Sequence, residues 1–303
     1  MRTSIVLASG LLLAMAATAA GGARWKKEMD FYKSIGQPPM ATLALGSVDV
    51  RLGTRLERLT LLSGEGHTGK KIAGGIMAVA LGAMGASGVD TASREPLEDH
   101  FTQDDAAKIA AEVAESVAKH LAIPGVKVIA GADVTGTAAY AAAKDGQTAA
   151  TKTAYSQKDG RFSREYTIGY WMQPAGAYAY RGEKGGLATR MGLAGLSGMY
   201  GDSDFSPKIR AAVGADTLAR VDVFLFNDRS KFGIRELKVR LFGNARNPAN
   251  DKMLVSYVLD DANAVAVPVG ADHKANYAHW QALRPQFEAK LDELGATLAP
   301  LVR

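Results

Sequence analysis

Hydrophobic and polar positions along the chain follow two periods and predict an alternation of strands and helices. "MATLALGSVDVRL" is rich in strand formers and alternates loosely, which predicts a strand near Thr42–Leu52. "LERLTLL" predicts a second strand ending at Leu62. In "TQDDAAKIAAEVAESVAKHLAIPG" the apolar residues Ile109, Val113, Val117 and Leu121 recur at every fourth position, with Ala110 and Ala114 beside them. That spacing is one apolar stripe on a helix. Thr102 and Asp105 supply its capping signature, and Pro124-Gly125 its stop. "VKVIAG" follows as a short apolar strand, so helix, tight turn and buried strand form an αβ unit.

The carboxyl third is the most regular part. "SPKIRAAVGA" reads as a short helix with Ser206 as cap, Pro207 at its first position and Gly214 at its end. "ARVDVFLFND" is apolar enough for a central strand. "IRELKVRLFGN" alternates Leu237, Val239 and Leu241 with Lys238 and Arg240, which predicts one wet face, and "DKMLVSYVLDD" is its antiparallel partner. A last helix, near Ala275 to Leu298, places Tyr277, Trp280, Phe287, Leu291 and Leu294 on one face, with Pro285 kinking or dividing it. These elements predict an α/β domain (α+β in detail), with a mixed sheet and helices on one or both faces.

Two segments break the pattern. Ile72 to Val89, "IAGGIMAVALGAMGASGV", has no charged residue, and Gly74, Ala78, Gly82 and Ala86 recur every four positions. On a helix they form a flat small-residue face that admits a close neighbour. Two readings stand: association with a membrane or an oligomer interface, or packing against the chain's own sheet. A bilayer span is disfavoured, because Lys70-Lys71 and Asp90 flank it in the wrong order for a chain already exported. The second segment, residues 150–201, holds six of the ten Tyr. Its "REYTIGYWMQPAGAYAYRG" predicts a hairpin turning near Gln173-Pro174, with Tyr170, Trp171, Tyr178 and Tyr180 as a binding or interface surface, or as plain cover for the domain. The amino-terminal "RWKKEMDFYKSIGQPP" reads as an exposed segment or a short helix.

The first twenty residues, "MRTSIVLASGLLLAMAATAA", read as a signal peptide cleaved near Ala19/Ala20. The remainder, 21–303, is expected to be one domain. Export without a single Cys suits a bacterial periplasm. Losing Arg2 lowers the formal charge from +5 to +4, and the charges are interspersed, so no nucleic-acid stripe is present.

Candidate chemistry is sparse. "LLSGEGHTGKK" meets a phosphate-binding loop at Gly64, Gly69 and Lys70, but Lys71 stands where a metal-holding hydroxyl is needed. No nucleotide is expected. The five His, namely His67, His100, His120, His273 and His279, form no ligand pair at metal spacing, so neither metal nor cofactor is expected. "EDH" at Glu98–His100 and "ADH" at Ala271–His273 read as solvated loops, and no catalytic set stands out.

From Thr42 onward the order of elements, with Gly214-Ala215-Asp216 leading into the Val221–Phe226 strand, then "IRELKVRLFG", "MLVSYVLDD" and a long last helix, resembles the periplasmic domain of the curli-secretion lipoprotein (CsgG-like) family and of the TolB amino-terminal domain. The likeness is one of pattern. Neither a lipobox Cys nor a counterpart of Ile72–Val89 accompanies it. It implies a non-catalytic envelope protein that binds an envelope protein or membrane surface, or forms a homo-oligomer. The competing expectation is a periplasmic hydrolase or small-ligand-binding protein with a concave pocket, near His100 or His273.

Overall fold

The computed structural model describes residues 23–30, 40–61, 101–142, 153–159, 162–172, 174, 177, 205–227, 230–243 and 252–302. The strands are β1 Arg24–Asp30, β2 Thr42–Leu61, β3 Lys127–Ile129, β4 Thr153–Asp159, β5 Phe162–Met172, β6 Thr217–Asn227, β7 Lys231–Gly243, β8 Lys252–Asp260 and β9 Ala266–Pro268. The helices are α1 Gln103–Leu121, α2 Ala132–Thr135, α3 Ala138–Ala142, α4 Phe205–Val213 and α5 Tyr277–Leu298.

All nine strands join one mixed sheet in the order β1-β8-β7-β6-β2-β5-β4, with β3 beside β2 and β9 beside β7. β2 runs parallel to β6 and β3, and antiparallel to β5. Helices lie on both faces, so the expected α/β class is what forms. α1 and α5 pack on one face over Leu43, Leu45, Val50 and Leu52 of β2, Val221, Val223 and Leu225 of β6, and Leu237, Val239 and Leu241 of β7. α2, α3 and α4 cover a smaller core on the other face, where Val134, Tyr140 and Ile209 meet Ala44, Leu218, Phe242 and Met253.

α1 begins where its box predicts: the Asp105 amide donates to Thr102 Oγ1 at 3.0 Å, and the Thr102 amide donates back to Asp105 Oδ2 at 3.1 Å. Its stripe, Ile109, Val113, Val117 and Leu121, is buried. α5 buries Trp280, Leu283, Phe287, Leu291 and Leu294 completely. Each such side chain contributes about 1.5–3 kcal/mol of burial. At Gly295 an added Cβ would stand 2.9 Å from Ile123 Cγ2 and 3.1 Å from the His120 carbonyl, so α1 and α5 approach closely there.

Gly214 ends α4 at φ +65°, a left-handed conformation that glycine adopts without a Cβ penalty. Two residues on, Asp216 locks the start of β6 to the start of β2. Its carboxylate accepts from the Thr42 amide at 2.9 Å and from Thr42 Oγ1 at 2.7 Å, and its amide donates to Thr42 Oγ1 at 3.0 Å. Arg210 of α4 donates to the Ala215 and Asp216 carbonyls at 3.2 and 2.8 Å.

Several expectations are corrected. "RWKKEMD" is exposed at Arg24 and Lys26–Glu28 as expected, but it is a strand and not a helix, paired antiparallel with β8. Trp25 Nε1 donates to the Lys290 carbonyl at 2.7 Å, and Lys290 Nζ donates to the Ala23 carbonyl at 2.9 Å, which fixes this strand against α5. The two strands expected around residue 52 are one β2 of 20 residues, because β5 continues as its neighbour past Gly53. β3 is only half-buried and pairs for three residues. α4 starts one residue early, at Phe205, so Ser206 and Pro207 lie inside it. Pro285 does not divide α5, which is continuous from its Asn276 cap. A hairpin not expected from the sequence joins β4 and β5 across Asp159 and Phe162. Residue 173 and most of the expected second arm, like Ile72–Val89, lie outside the described residues.

Candidate functional site

The second face of the sheet changes chemistry along its strands. Next to the small core, Ala44, Leu218, Phe242 and Met253 are cross-strand neighbours or close to it and apolar. The following row is Ser47, Arg220, Arg240 and Ser256; the next begins Asp49, Asp222 and Lys238; then come Arg51, Phe224 and Glu236. Arg220 and Arg240 face each other directly, a costly placement unless a carboxylate intervenes. Asp222 does so, accepting a hydrogen bond from Arg240 Nη2. Arg51 Nη2 pairs with Glu236 Oε1 at 3.1 Å, and Lys238 Nζ with Glu28 Oε2 at 2.5 Å. Ser256 Oγ donates to the same Glu28 oxygen at 3.0 Å.

Burial pushes the Asp222 carboxyl up, but Arg240, Arg51 and Arg220 around it outweigh that and hold it below its ordinary value. For Glu28, burial raises and Lys238, Ser256 and Arg240 lower, with the same net direction. Positive and negative groups balance here, so the array is a neutralised network instead of an anion cradle. The face expected to be wet at Lys238 and Arg240 is thus occupied by ion pairs, with only 27% and 24% of those two side chains exposed.

A second polar seam joins α1 to α5. Glu112 accepts from Tyr277 Oη, from Trp280 Nε1 at 2.7 Å and from Gln281 Nε2 at 2.9 Å. Burial raises its carboxyl, and these donors together with Arg284 bring it below the ordinary Glu value. Ser116 Oγ donates to Glu288 Oε1 at 2.8 Å, and His120 Nδ1 lies 2.6 Å from Asp292 Oδ1. Serine, histidine and carboxylates therefore meet, but Ser116 is fully buried and its proton is committed to Glu288, so no substrate reaches this hydroxyl. The seam holds two helices together.

The third feature is a cavity of about 310 Å³ beside the amino-terminal part of β2. β2 forms one wall through Leu45, Gly46, Ser47 and Val48; α1 forms another through Ala114, Glu115 and Ala118. Ala130, Gly131 and Thr135, with Pro174 and Ala177, complete it. Gly131 at φ +61° turns the chain away immediately after β3, which opens the space. A Gly inside a strand signals a bulge, and the register of β2 with β6 does slip between Leu45 and Ser47. That signal, and Ala118 continuing the Ala110–Ala114 row of α1, were available in the sequence. The joining of the two walls was not.

Of the predicted site residues, Tyr170 and Trp171 fall in β5, opposite Leu52 and Arg51 of β2. Gly74, Ala78, Gly82, Ala86, Tyr178 and Tyr180 lie outside the described residues, as do Lys70, His67 and His100. His273, at φ +59°, lends its carbonyl to Asn227 Nδ2 at 3.2 Å, and does not line the cavity. No group of three or more His, Cys, Asp or Glu with metal-binding geometry occurs among the described residues. No helix among them is long and apolar enough to cross a membrane. Comparison with family models, curated proteins and solved structures finds no match to this chain.

Proposed function

We propose that this is an exported envelope protein whose role is binding or assembly, not catalysis. The carrying observation is the length of β2. β6 leaves it after Gly53, while β5 follows it to Leu61 and β4 follows β5. From Thr54 to Leu61, β2 has a strand neighbour on one side only among the described residues. Such an edge offers backbone donors and acceptors to another chain, which is how strands recruit partners or second copies. The charge-free Ile72–Val89 segment, just beyond that edge in sequence, has the small-residue spacing found where helices pack against a membrane partner or a neighbouring subunit.

The test is fractionation of cells exporting the chain. The full chain is expected in the membrane pellet or in an oligomer, and a chain lacking residues 72–89 is expected in the soluble monomer fraction. A full chain found only as soluble monomer overturns the proposal. A second reading, a small-ligand-binding protein, is favoured by the 310 Å³ cavity between β2 and α1.

A further inference from the structure

The cavity between β2 and α1 is graded from an apolar floor to a charged rim. Leu45, Val48 and Ala177 are buried at its floor, with 7%, 3% and 7% exposure. Ala114, Ala118 and Ala130 are half-buried in its walls, and Glu115, with 73% of its side chain exposed, stands at the rim. We infer that the cavity takes a small organic amine, with a compact apolar body between β2 and α1 and its ammonium group at Glu115. This rests on the ligand-binding reading and specifies the class of ligand.

Three observations converge. First, the interior suits an apolar body. Among the described lining residues the polar side chains are Ser47, Thr135 and Glu115. Ser47 Oγ accepts from Arg220 Nε at 3.4 Å on the other face of the sheet, which takes it out of the interior. The floor residues carry no polar side chain, so a hydrocarbon body buried there leaves none of them unpaired. Second, side chains cut back to methyl groups at Ala114, Ala118 and Ala130 leave about 310 Å³. A cavity of about 150 Å³ holds benzene, so this one holds roughly ten to twelve non-hydrogen atoms. Third, the rim is negative. Arg284 Nε lies 2.8 Å from Glu288 Oε1, while its Nη1 and Nη2 are 3.5 Å from Glu112 Oε2 and 3.8 Å from Glu115 Oε2. Three carboxylates thus share one guanidinium, and Glu115 has the longest of these contacts and the most exposed side chain. An ammonium group at the rim meets opposite charge there, whereas a ligand carboxylate meets like charge.

The experiment titrates the full chain with three probes that share a phenylethyl body and differ in charge: 2-phenylethylamine, 2-phenylethanol and 3-phenylpropanoate. Calorimetric dissociation constants are expected to rank the amine tightest, then the alcohol, then the carboxylate. The amine is expected to bind about two- to fivefold more tightly than the alcohol, the scale of one exposed ion pair. Glu115→Gln is expected to bring the amine to the alcohol's affinity. Ala118→Leu, which fills the cavity from α1, is expected to abolish binding of all three; Ala130→Leu does the same from the opposite wall if the first variant fails to fold. Equal binding of the three probes, or tighter binding of the carboxylate, overturns the amine assignment and leaves a ligand cavity. Binding that survives both leucine variants puts the probes elsewhere and overturns the assignment too. Binding of none of the three overturns the ligand-binding reading as well.

Discussion

The two faces of the central strands are made from the same residues in alternation, yet they are held by different forces. On the face under α1 and α5, Val221, Val223, Leu237 and Val239 pack in one apolar core with Trp280, Phe287 and Leu291, and burial dominates the cohesion. On the other face, Asp222, Arg220, Arg240 and Lys238 occupy the intervening positions, and cohesion there depends on each charge finding its partner. The apolar face loses stability in proportion to what is removed. The charged face loses it when one sign is left alone.

The largest expected effect is on the apolar side. Trp280→Ala removes a fully buried ring and the 2.7 Å donor to Glu112, and should cost about 3–5 kcal/mol in denaturant unfolding. On the charged side, Asp222→Asn removes the carboxylate charge that lies between Arg240 and Arg220. It should cost about 3 kcal/mol, near the low end for a buried pair because Arg240 is partly exposed. Replacing Asp222 by Asn together with Arg240 by Met should recover part of that loss, whereas no second substitution on the charged side should rescue Trp280→Ala.

The pH dependence sharpens the contrast further. Asp222, Glu28, Glu112 and Glu288 all have folded-state values below their ordinary ones. Their contribution is therefore present above the unfolded values of 3.8 for Asp and 4.5 for Glu, and is lost as pH falls through the lower folded values. Urea midpoints should be flat near neutrality and fall only in that acid range, and Asp222→Asn should make the fall shallower. Smallest is Gly214→Ala, which places a Cβ at φ +65° and should cost about 1 kcal/mol, read as a shift in thermal midpoint without loss of the native spectrum.

Legibility in the sequence followed the same division. The apolar stripe of α1, its capping box and the burial of Trp280, Phe287 and Leu291 were readable because periodicity reports burial directly. The charged face was misread at Lys238 and Arg240, since a local pattern cannot say that Glu28 lies 2.5 Å from Lys238, more than two hundred positions away in the chain. β2 was divided in two because Gly53 and Arg55 interrupt its alternation, while its continuity depends on pairing with β5. The cavity escaped for the same reason: its walls come from β2, α1 and the segment after β3, which only the fold brings together.

The proposed role turns on whether chains associate, and the solution mass of the full exported protein tests that most directly. Light scattering after size exclusion, in mild detergent and without it, should return a multiple of the one-chain mass or a membrane-dependent particle. Removal of residues 72–89 should return a single chain. A single chain from the full protein under both conditions, with the sheet intact by circular dichroism, would contradict the assembly account.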